Sequence, residues 1–368
     1  MHMSKRLVFC VSNDLNFDQR MQRICGTLVE AGYTITLIGR ESADSPPLKP
    51  RPWQEIRLPV KAQKGWQMYA GYNWKLFLEL RKLSADAICA IDLDTIIPVW
   101  LVSKLKKTIR IYDAHELFTE QKEVVTRPRI HRFWKWIERC FVPSFPHGYV
   151  VNAFMRDYFH TAYGVDYAVV RNIPLKRSDL PKPAEPKFIL YQGAINEGRC
   201  FEQLVPAMRG IQAELHIYGK GNFETQLRQL VKDYQLSDKI KIFQSVDPEE
   251  LKKITSQSSL GLTLFEKTGL NQEYSLANRF FDYMMAGIPQ VCVNFPVYKS
   301  INNDHRFALT ISNTEPATIA KAVNKLLNDP VLYAELQSNA LLARESLNWE
   351  TESATLIQFY QNLFPAKA

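Results

Sequence analysis

Asn278, Arg279 and Asp282 are spaced to share one face of a helix, in a stretch that reads LTLFEKTGLNQEYSLANRFFDYMMAGIPQV from Leu262 to Val291. A helix predicted over Ala277–Ala286 opens on unpaired N–H groups and a partial positive charge, a combination that favours an anion. Ser275 and Asn278 add donors there. Arg279 adds a charge-assisted contact of about 1.5–3 kcal/mol. Asp282 offers a carboxylate that can accept both hydroxyls of a ribose. These residue types in this order predict a pocket for a nucleotide diphosphate. Glu266 stands in the loop ahead of the helix, and Gly287 and Pro289 end it.

The first half has a second set of candidates. After the first predicted strand the chain reads Ser12-Asn13-Asp14-Leu15-Asn16-Phe17-Asp18. It has no glycine, which argues against a dinucleotide fingerprint, and no Walker-type loop occurs anywhere. Asn13, Asp14 and Asp18 suit either helix capping or hydrogen bonding to a polyhydroxylated acceptor, and both readings stand. His115 follows a predicted strand at Ile109–Tyr112, with Asp113, Glu116 and Glu120 as candidates to orient it or to bind the acceptor. Asp92-Leu93-Asp94 has D-x-D spacing but lies in the first half, away from the nucleotide residues. No metal is therefore expected.

The elements that position these residues alternate along the whole chain. Strands are predicted at Arg6–Val11, Thr34–Gly39, Ala87–Ile91, Ile109–Tyr112, Gly148–Val151 and Tyr167–Val170. A second series is predicted at Phe188–Gln192, Glu214–Tyr218, Ile240–Phe243, Gly261–Leu264 and Gln290–Val293. Helical patterns lie between them, among them Phe17–Ala31 and Arg199–Met208, and three further helices follow the last strand, ending with Trp349–Leu363. Such alternation implies βαβ units and parallel sheets. The proline-rich segment Pro174–Pro186 reads as a linker. The expected architecture is α/β, with two Rossmann-like doubly wound domains facing a cleft. In such sheets ligands bind beyond the carboxyl ends of the strands.

Composition fits that reading. The 368 residues are 46% hydrophobic and 23% charged, which excludes disordered and collagen-like classes. No apolar run approaches the ~20 residues a bilayer span needs. The chain opens on Met1-His2-Met3 and passes almost directly into a strand, so no signal peptide is expected. Six scattered cysteines, without metal-ligand spacing, read as buried thiols of a reducing compartment. A cytoplasmic protein follows. Of the net charge of +8, residues 1–180 hold 27 Lys+Arg against 18 Asp+Glu. Basic residues interleave with aromatics at Tyr69–Leu83 and His131–Phe141. That pattern fits ordinary amphipathic helices packed on a sheet, or a face for an anionic membrane surface, peripheral at its inner side. No nucleic-acid module is present.

The nucleotide segment resembles the GT-B fold glycosyltransferases, particularly the retaining enzymes of glycosyltransferase family 4. Glu266–Asn271 is similar to their E-G-F-G-L-P block, and Asp282–Pro289 to their E-A-M-A-x-G-x-P block. The second acid is Asp here, and the two acids stand 16 residues apart, wider than in the family's usual pattern. Tyr191–Arg199 resembles the family's G-R-x-x-x-x-K-G loop, with Ala194 in place of the Arg and Arg199 in place of the Lys.

The resemblance implies a donor site of Gly193, Asn196, Arg199, Tyr218, Gly219, Ser245, Val246, Ser275, Asn278, Arg279 and Asp282. It implies catalytic roles for His115, Glu266 and Arg199; the residue types themselves make Asn13, Asp14, Asp18 and Glu116 candidates for acceptor contacts. Residues 1–175 would form the acceptor-binding domain and 176–345 the donor-binding domain, with the helix within 346–368 crossing back to the first. The implied reaction moves a hexosyl group from a UDP- or GDP-linked sugar to a hydroxyl of a glycan or lipid-linked acceptor. It retains the anomeric configuration and needs no metal or prosthetic group. The alternatives are a nucleotide-sugar epimerase on the same fold and an inactive membrane-associated protein that binds a glycan or nucleotide.

Overall fold

A computed structural model describes residues 4–42, 45–182, 184 and 187–365. Met1–Met3 and the linker prolines Pro183 and Pro186 lie outside the described residues. The chain divides into two compact units, Met1–Asn172 with Glu352–Ala368, and Ile173–Thr351.

The first unit is built on a seven-stranded parallel sheet. Its strands are β1 (Arg6–Cys10), β2 (Thr34–Glu41), β3 (Gln54–Pro59), β4 (Ala87–Ile91), β5 (Ile109–Ala114), β6 (His147–Val150) and β7 (Ala168–Val169), in the order β3-β2-β1-β4-β5-β6-β7. β4, AICAI, is buried at every position, as a central parallel strand covered on both faces must be. β3, QEIRLP, buries only Leu58. It was not expected from sequence, because an edge strand lacks the continuous apolar run. Strand order reverses between β1 and β4, so the loops after those two strands diverge and leave a crevice.

The second unit carries a six-stranded parallel sheet. Its strands are β8 (Phe188–Gln192), β9 (Glu214–Tyr218), β10 (Ile240–Phe243), β11 (Leu260–Thr263), β12 (Gln290–Val293) and β13 (Ala308–Ile311), in the order β10-β9-β8-β11-β12-β13. Here the order reverses between β8 and β11.

Four helices, not three, follow β12: Pro296–His305, Pro316–Asn328, Pro330–Ala343 and Trp349–Leu363. The second and third are separated by Asp329 alone, whose side chain accepts from the Leu332 N–H at 3.0 Å while Pro330 begins the next helix. From Glu352 onward the last helix belongs to the first unit. The Glu352 carboxylate accepts from the Arg171 backbone N–H (2.8 Å) and Nε (2.7 Å), and Tyr360 is fully buried against Tyr149. Cys140 is exposed, against the expectation of buried thiols, whereas the other five cysteines are buried. Among the described residues no helix is long and apolar enough to cross a membrane.

Candidate functional site

In the second unit the reversal between β8 and β11 is occupied by Arg279. The residue is second in the helix Asn278–Ala286 and only 6% exposed. Its guanidinium reaches over both strand ends. Nη1 donates to Tyr191 Oη (3.2 Å) and to the Gln192 carbonyl (3.5 Å), and Nη2 donates to the Leu264 carbonyl (3.3 Å). The Tyr191 and Phe265 rings flank it, each 4.6 Å from ring centroid to guanidinium carbon. None of these partners is a carboxylate, and Nε has no hydrogen-bond partner.

Arg199 lies 4.5 Å over the same Phe265 ring. The sequence predicts it at a helix start, but the helix begins at Phe201, after Cys200 has turned through a left-handed φ of 59°. Two guanidiniums thus contact one aromatic ring, and Glu266 directly follows that ring in the chain. Tyr191 and Phe265 escaped the sequence reading. They are 74 positions apart in the chain, and only the adjacency of β8 and β11 brings them together.

Asp282, one turn on from Asn278, accepts from Gln192 Nε2 at 3.0 Å, which fixes its carboxylate at the end of β8. Asn278 is exposed at the start of the helix, and the Ala277 N–H donates to Tyr298 Oη at 3.1 Å. Ser275 Oγ donates to the Gln272 carbonyl (3.2 Å). The loops after β8 and β9 are joined to each other. Gly193 N–H donates to the Tyr218 carbonyl (3.0 Å), Ile195 N–H to the Lys220 carbonyl (3.0 Å), and Asn222 N–H to Asn196 Oδ1 (3.1 Å). The approach is so close that a Cβ on Gly219 would lie 1.9 Å from the Gly193 carbonyl oxygen. Gly193, at φ 123°, faces Arg279 Nη1. Tyr218 stacks on Phe243 at 4.5 Å, and Ser245 and Val246 follow β10, Ser245 exposed. The donor candidates thus gather at the carboxyl ends of β8, β9, β10 and β11.

In the first unit His115 sits just past β5 in a ring of carboxylates. Its Nε2 is 2.9 Å from Asp113 Oδ2, and its backbone N–H donates to Asp92 Oδ1 at 2.8 Å. Nδ1 is 3.9 Å from Asp92 Oδ2, too far for a hydrogen bond. Asp113 is fully buried and also takes Arg20 Nη2 at 3.0 Å. Burial would raise Asp113, but Arg20 and His115 outweigh it and hold the carboxyl below its usual range. Burial works against the imidazolium as well, yet the Asp113 and Asp92 charges lift His115 to about 9. Asp92 itself is pushed up to about 8 by burial, against the pull of His115. It is a non-glycine residue at φ 56°, a costly conformation held by its surroundings. In the sequence Asp92 stands out only as part of a D-x-D pair. The structure makes it a support of His115.

Glu116 is hydrogen-bonded by Gln121, and Glu120 pairs with Lys135 at 2.7 Å instead of orienting His115. Asp18 caps its helix, accepting from the Met21 N–H at 3.0 Å, and takes Asn13 Nδ2 at 3.2 Å. Asp14 pairs with Arg57 at 2.8 Å. Ser12 Oγ donates to Asp94, which ties the loop after β1 to the loop after β4 at the first unit's own reversal.

Two parallel sheets of this strand order, each with its polar residues beyond the carboxyl ends, match known families along most of the chain. The model described as glycosyl transferases group 1 matches residues 172–342, and that described as Glycosyltransferase Family 4 matches residues 19–175. The chain belongs to the GT-B fold glycosyltransferases, of the family 4-like kind. Among solved structures, sucrose-phosphate synthase (tll1590) from Thermosynechococcus elongatus has a TM-score of 0.79 at 16% identity, over 99% of this chain and 100% of that one. Anabaena Alr3699/HepE in complex with UDP-glucose gives 0.75 at 12%, over 97% and 99%. WaaG, a glycosyltransferase involved in lipopolysaccharide biosynthesis, gives 0.73 at 13%, over 98% and 100%. At such identities these structures speak for the fold alone. No curated protein matches the chain in sequence.

Proposed function

We propose that this glycosyltransferase moves a hexosyl group from a UDP- or GDP-linked sugar to a hydroxyl of a glycan or lipid-linked acceptor. Transfer proceeds with retention and without an essential metal. The observation that carries the reading is Arg279, a guanidinium 6% exposed whose partners among the described residues are a hydroxyl and two carbonyls, none of them a carboxylate. A buried charge is costly unless it is paired, and an entering diphosphate would supply the missing counter-charge. Arg199 on the shared Phe265 ring doubles the positive charge.

In the proposed step the bond between the anomeric carbon and the diphosphate oxygen breaks, and its electron pair leaves with the diphosphate. The acceptor oxygen bonds to the same face of that carbon and passes its proton to the departing phosphate. Arg199, Arg279 and the start of the helix Asn278–Ala286 meet the charge as it develops, where fixed donors lower a barrier most. Asp282 holds the ribose. Gly193, Asn196, Tyr218, Gly219, Ser245 and Val246 shape the nucleotide pocket, with Ser275 and Asn278 as further donors. Glu266 contacts the donor sugar. His115, kept protonated by Asp113, supplies a charged donor to the reacting groups, and Asn13, Asp14, Asp18 and Glu116 serve the acceptor. The residues 1–175 and 176–345 are assigned to acceptor and donor respectively.

Calorimetric titration of UDP, GDP, ADP, CMP and NAD into wild type and Arg199→Ala tests the donor site. A single preferred diphosphate, weakened by the substitution, is the expected result. No binding of any diphosphate by folded protein would overturn the reading. Product analysis then separates transfer, which consumes donor only with acceptor present, from epimerisation of donor alone.

A further inference from the structure

The first unit contains a groove of about 540 Å³ between the helices Gly65–Lys82 and Pro128–Phe141. We infer that it binds the apolar chain of a single acceptor lipid whose head group carries a phosphate, an inference that rests on the transfer reaction proposed above. The floor is aromatic and rigid. Trp134 packs edge-on against Phe118 (4.7 Å) and Tyr69 (5.5 Å), and all three line the groove. The mouth is aromatic too, but uncovered: Trp66 is 76% and Phe133 53% exposed, with Ile130 beside them. A helix packed only for stability would turn these side chains inward.

Charge selects the occupant. Arg127 and Arg129 line the same groove. Both are exposed, as is Arg132 nearby, and none of the three has a carboxylate partner among the described residues. Glu123 is the exposed carboxylate set against them. Unpaired guanidiniums around an apolar mouth complement an anionic head on an apolar tail.

The far end of the groove is polar and adjoins the His115 cluster. Asp94, Asn73 and Gln121 line it. Asn73 Nδ2 donates to the Asp94 carbonyl at 2.8 Å, and Gln121 is bonded to Glu116, the neighbour of His115. One groove therefore runs from exposed tryptophan to Gln121, the hydrogen-bond partner of Glu116, which is proposed to meet the acceptor. Its volume, within the ~300–1,000 Å³ of small-molecule sites, fits one chain better than a flat bilayer surface.

The probe is dodecyl phosphate below its micelle concentration, titrated into the full chain and read by tryptophan fluorescence. Inorganic phosphate, dodecyl maltoside and anionic phospholipid vesicles serve as comparisons, and UDP is titrated into the same samples. The inference expects saturable binding of dodecyl phosphate and none of inorganic phosphate. Phe133→Asp, on an exposed side chain, should weaken it at least tenfold. Arg127→Gln with Arg129→Gln should weaken dodecyl phosphate more than dodecyl maltoside. UDP affinity should be the same in all variants. No saturable binding, equal binding by Phe133→Asp, or binding only to anionic phospholipid vesicles would overturn it. Retained UDP binding would locate such a failure in the groove, whereas loss of UDP binding by wild type would count against the donor site instead.

Discussion

Replacing Arg279 by methionine separates a binding role from a structural one. The guanidinium makes three hydrogen bonds of 3.2, 3.5 and 3.3 Å, all at or beyond the long end of the normal range, so each contributes toward the low end of about 0.5–1.5 kcal/mol. Its two ring contacts add up to about 2 kcal/mol each in a desolvated setting. Opposing them is the burial of a charge with no carboxylate among its partners in the described residues, a penalty of several kcal/mol. Methionine keeps most of the volume and gains sulfur–ring contacts of about 0.3–1.5 kcal/mol with Tyr191 and Phe265. These contributions nearly cancel, so the ligand-free protein should change by no more than about 2 kcal/mol in a denaturant titration. A diphosphate, in contrast, loses a charge-assisted contact of about 1.5–3 kcal/mol, or roughly 10- to 100-fold in affinity. Calorimetry with UDP or GDP on the folded variant reads that loss. Undiminished affinity in Arg279→Met would refute the assignment. So would a variant that fails to fold while Arg279→Lys behaves as wild type, since Arg279 would then be structural.

His115 titrates near 9 in the folded chain, above its ordinary 6.5. The folded state therefore holds the extra proton, and a stabilisation on the order of 3 kcal/mol is complete below pH 6.5 and lost as pH rises to about 9. Chemical denaturation across that range should show the slope, to which Asp92, raised to about 8, adds in the same direction, and His115→Gln should reduce it. Asp113→Asn leaves Arg20 buried without its carboxylate and should destabilise by about 3–5 kcal/mol. The His115 resonances in NMR should then titrate at lower pH. Gly219→Ala would put a Cβ 1.9 Å from the Gly193 carbonyl. The loop must shift, costing about 1–3 kcal/mol, and UDP affinity should fall more than thermal stability does. Glu352→Gln removes the charge that receives Arg171 at 2.7 Å and should lower the melting temperature of the first unit, with UDP affinity unchanged.

Most of the fold was legible from the chain because its central strands are buried on both faces. Strands such as β4 and β11 appear as short apolar runs between turn residues. β3 was not legible because it is half polar at a sheet edge; β13, no shorter than β10, β11 or β12, was missed as well. The pair of helices joined at Asp329 hid a boundary, since one residue both ends a helix and caps the next. The cations of the proposed donor region were visible because Arg199 and Arg279 stand in recognisable local patterns. Their setting was not. The Tyr191–Phe265 clamp, like the Arg20–Asp113 pair, joins side chains brought together by strand order rather than by spacing. The exposure of Phe133 and Trp136 was also hidden, because helical periodicity marks an apolar stripe without saying whether anything covers it.

The return of the last helix to the first unit has a consequence for synthesis on the ribosome. The second unit is one continuous stretch, Ile173–Thr351, and every strand of its sheet has emerged before Glu352 is made. The first unit is interrupted. Tyr149 and Arg171 are translated early but wait for Tyr360 and Glu352. Its sheet must therefore persist with an uncovered apolar patch and an unpaired arginine while nearly 180 further residues are added. The half translated first is thus the half completed last, and during that interval it is the part of the nascent chain most exposed to misfolding.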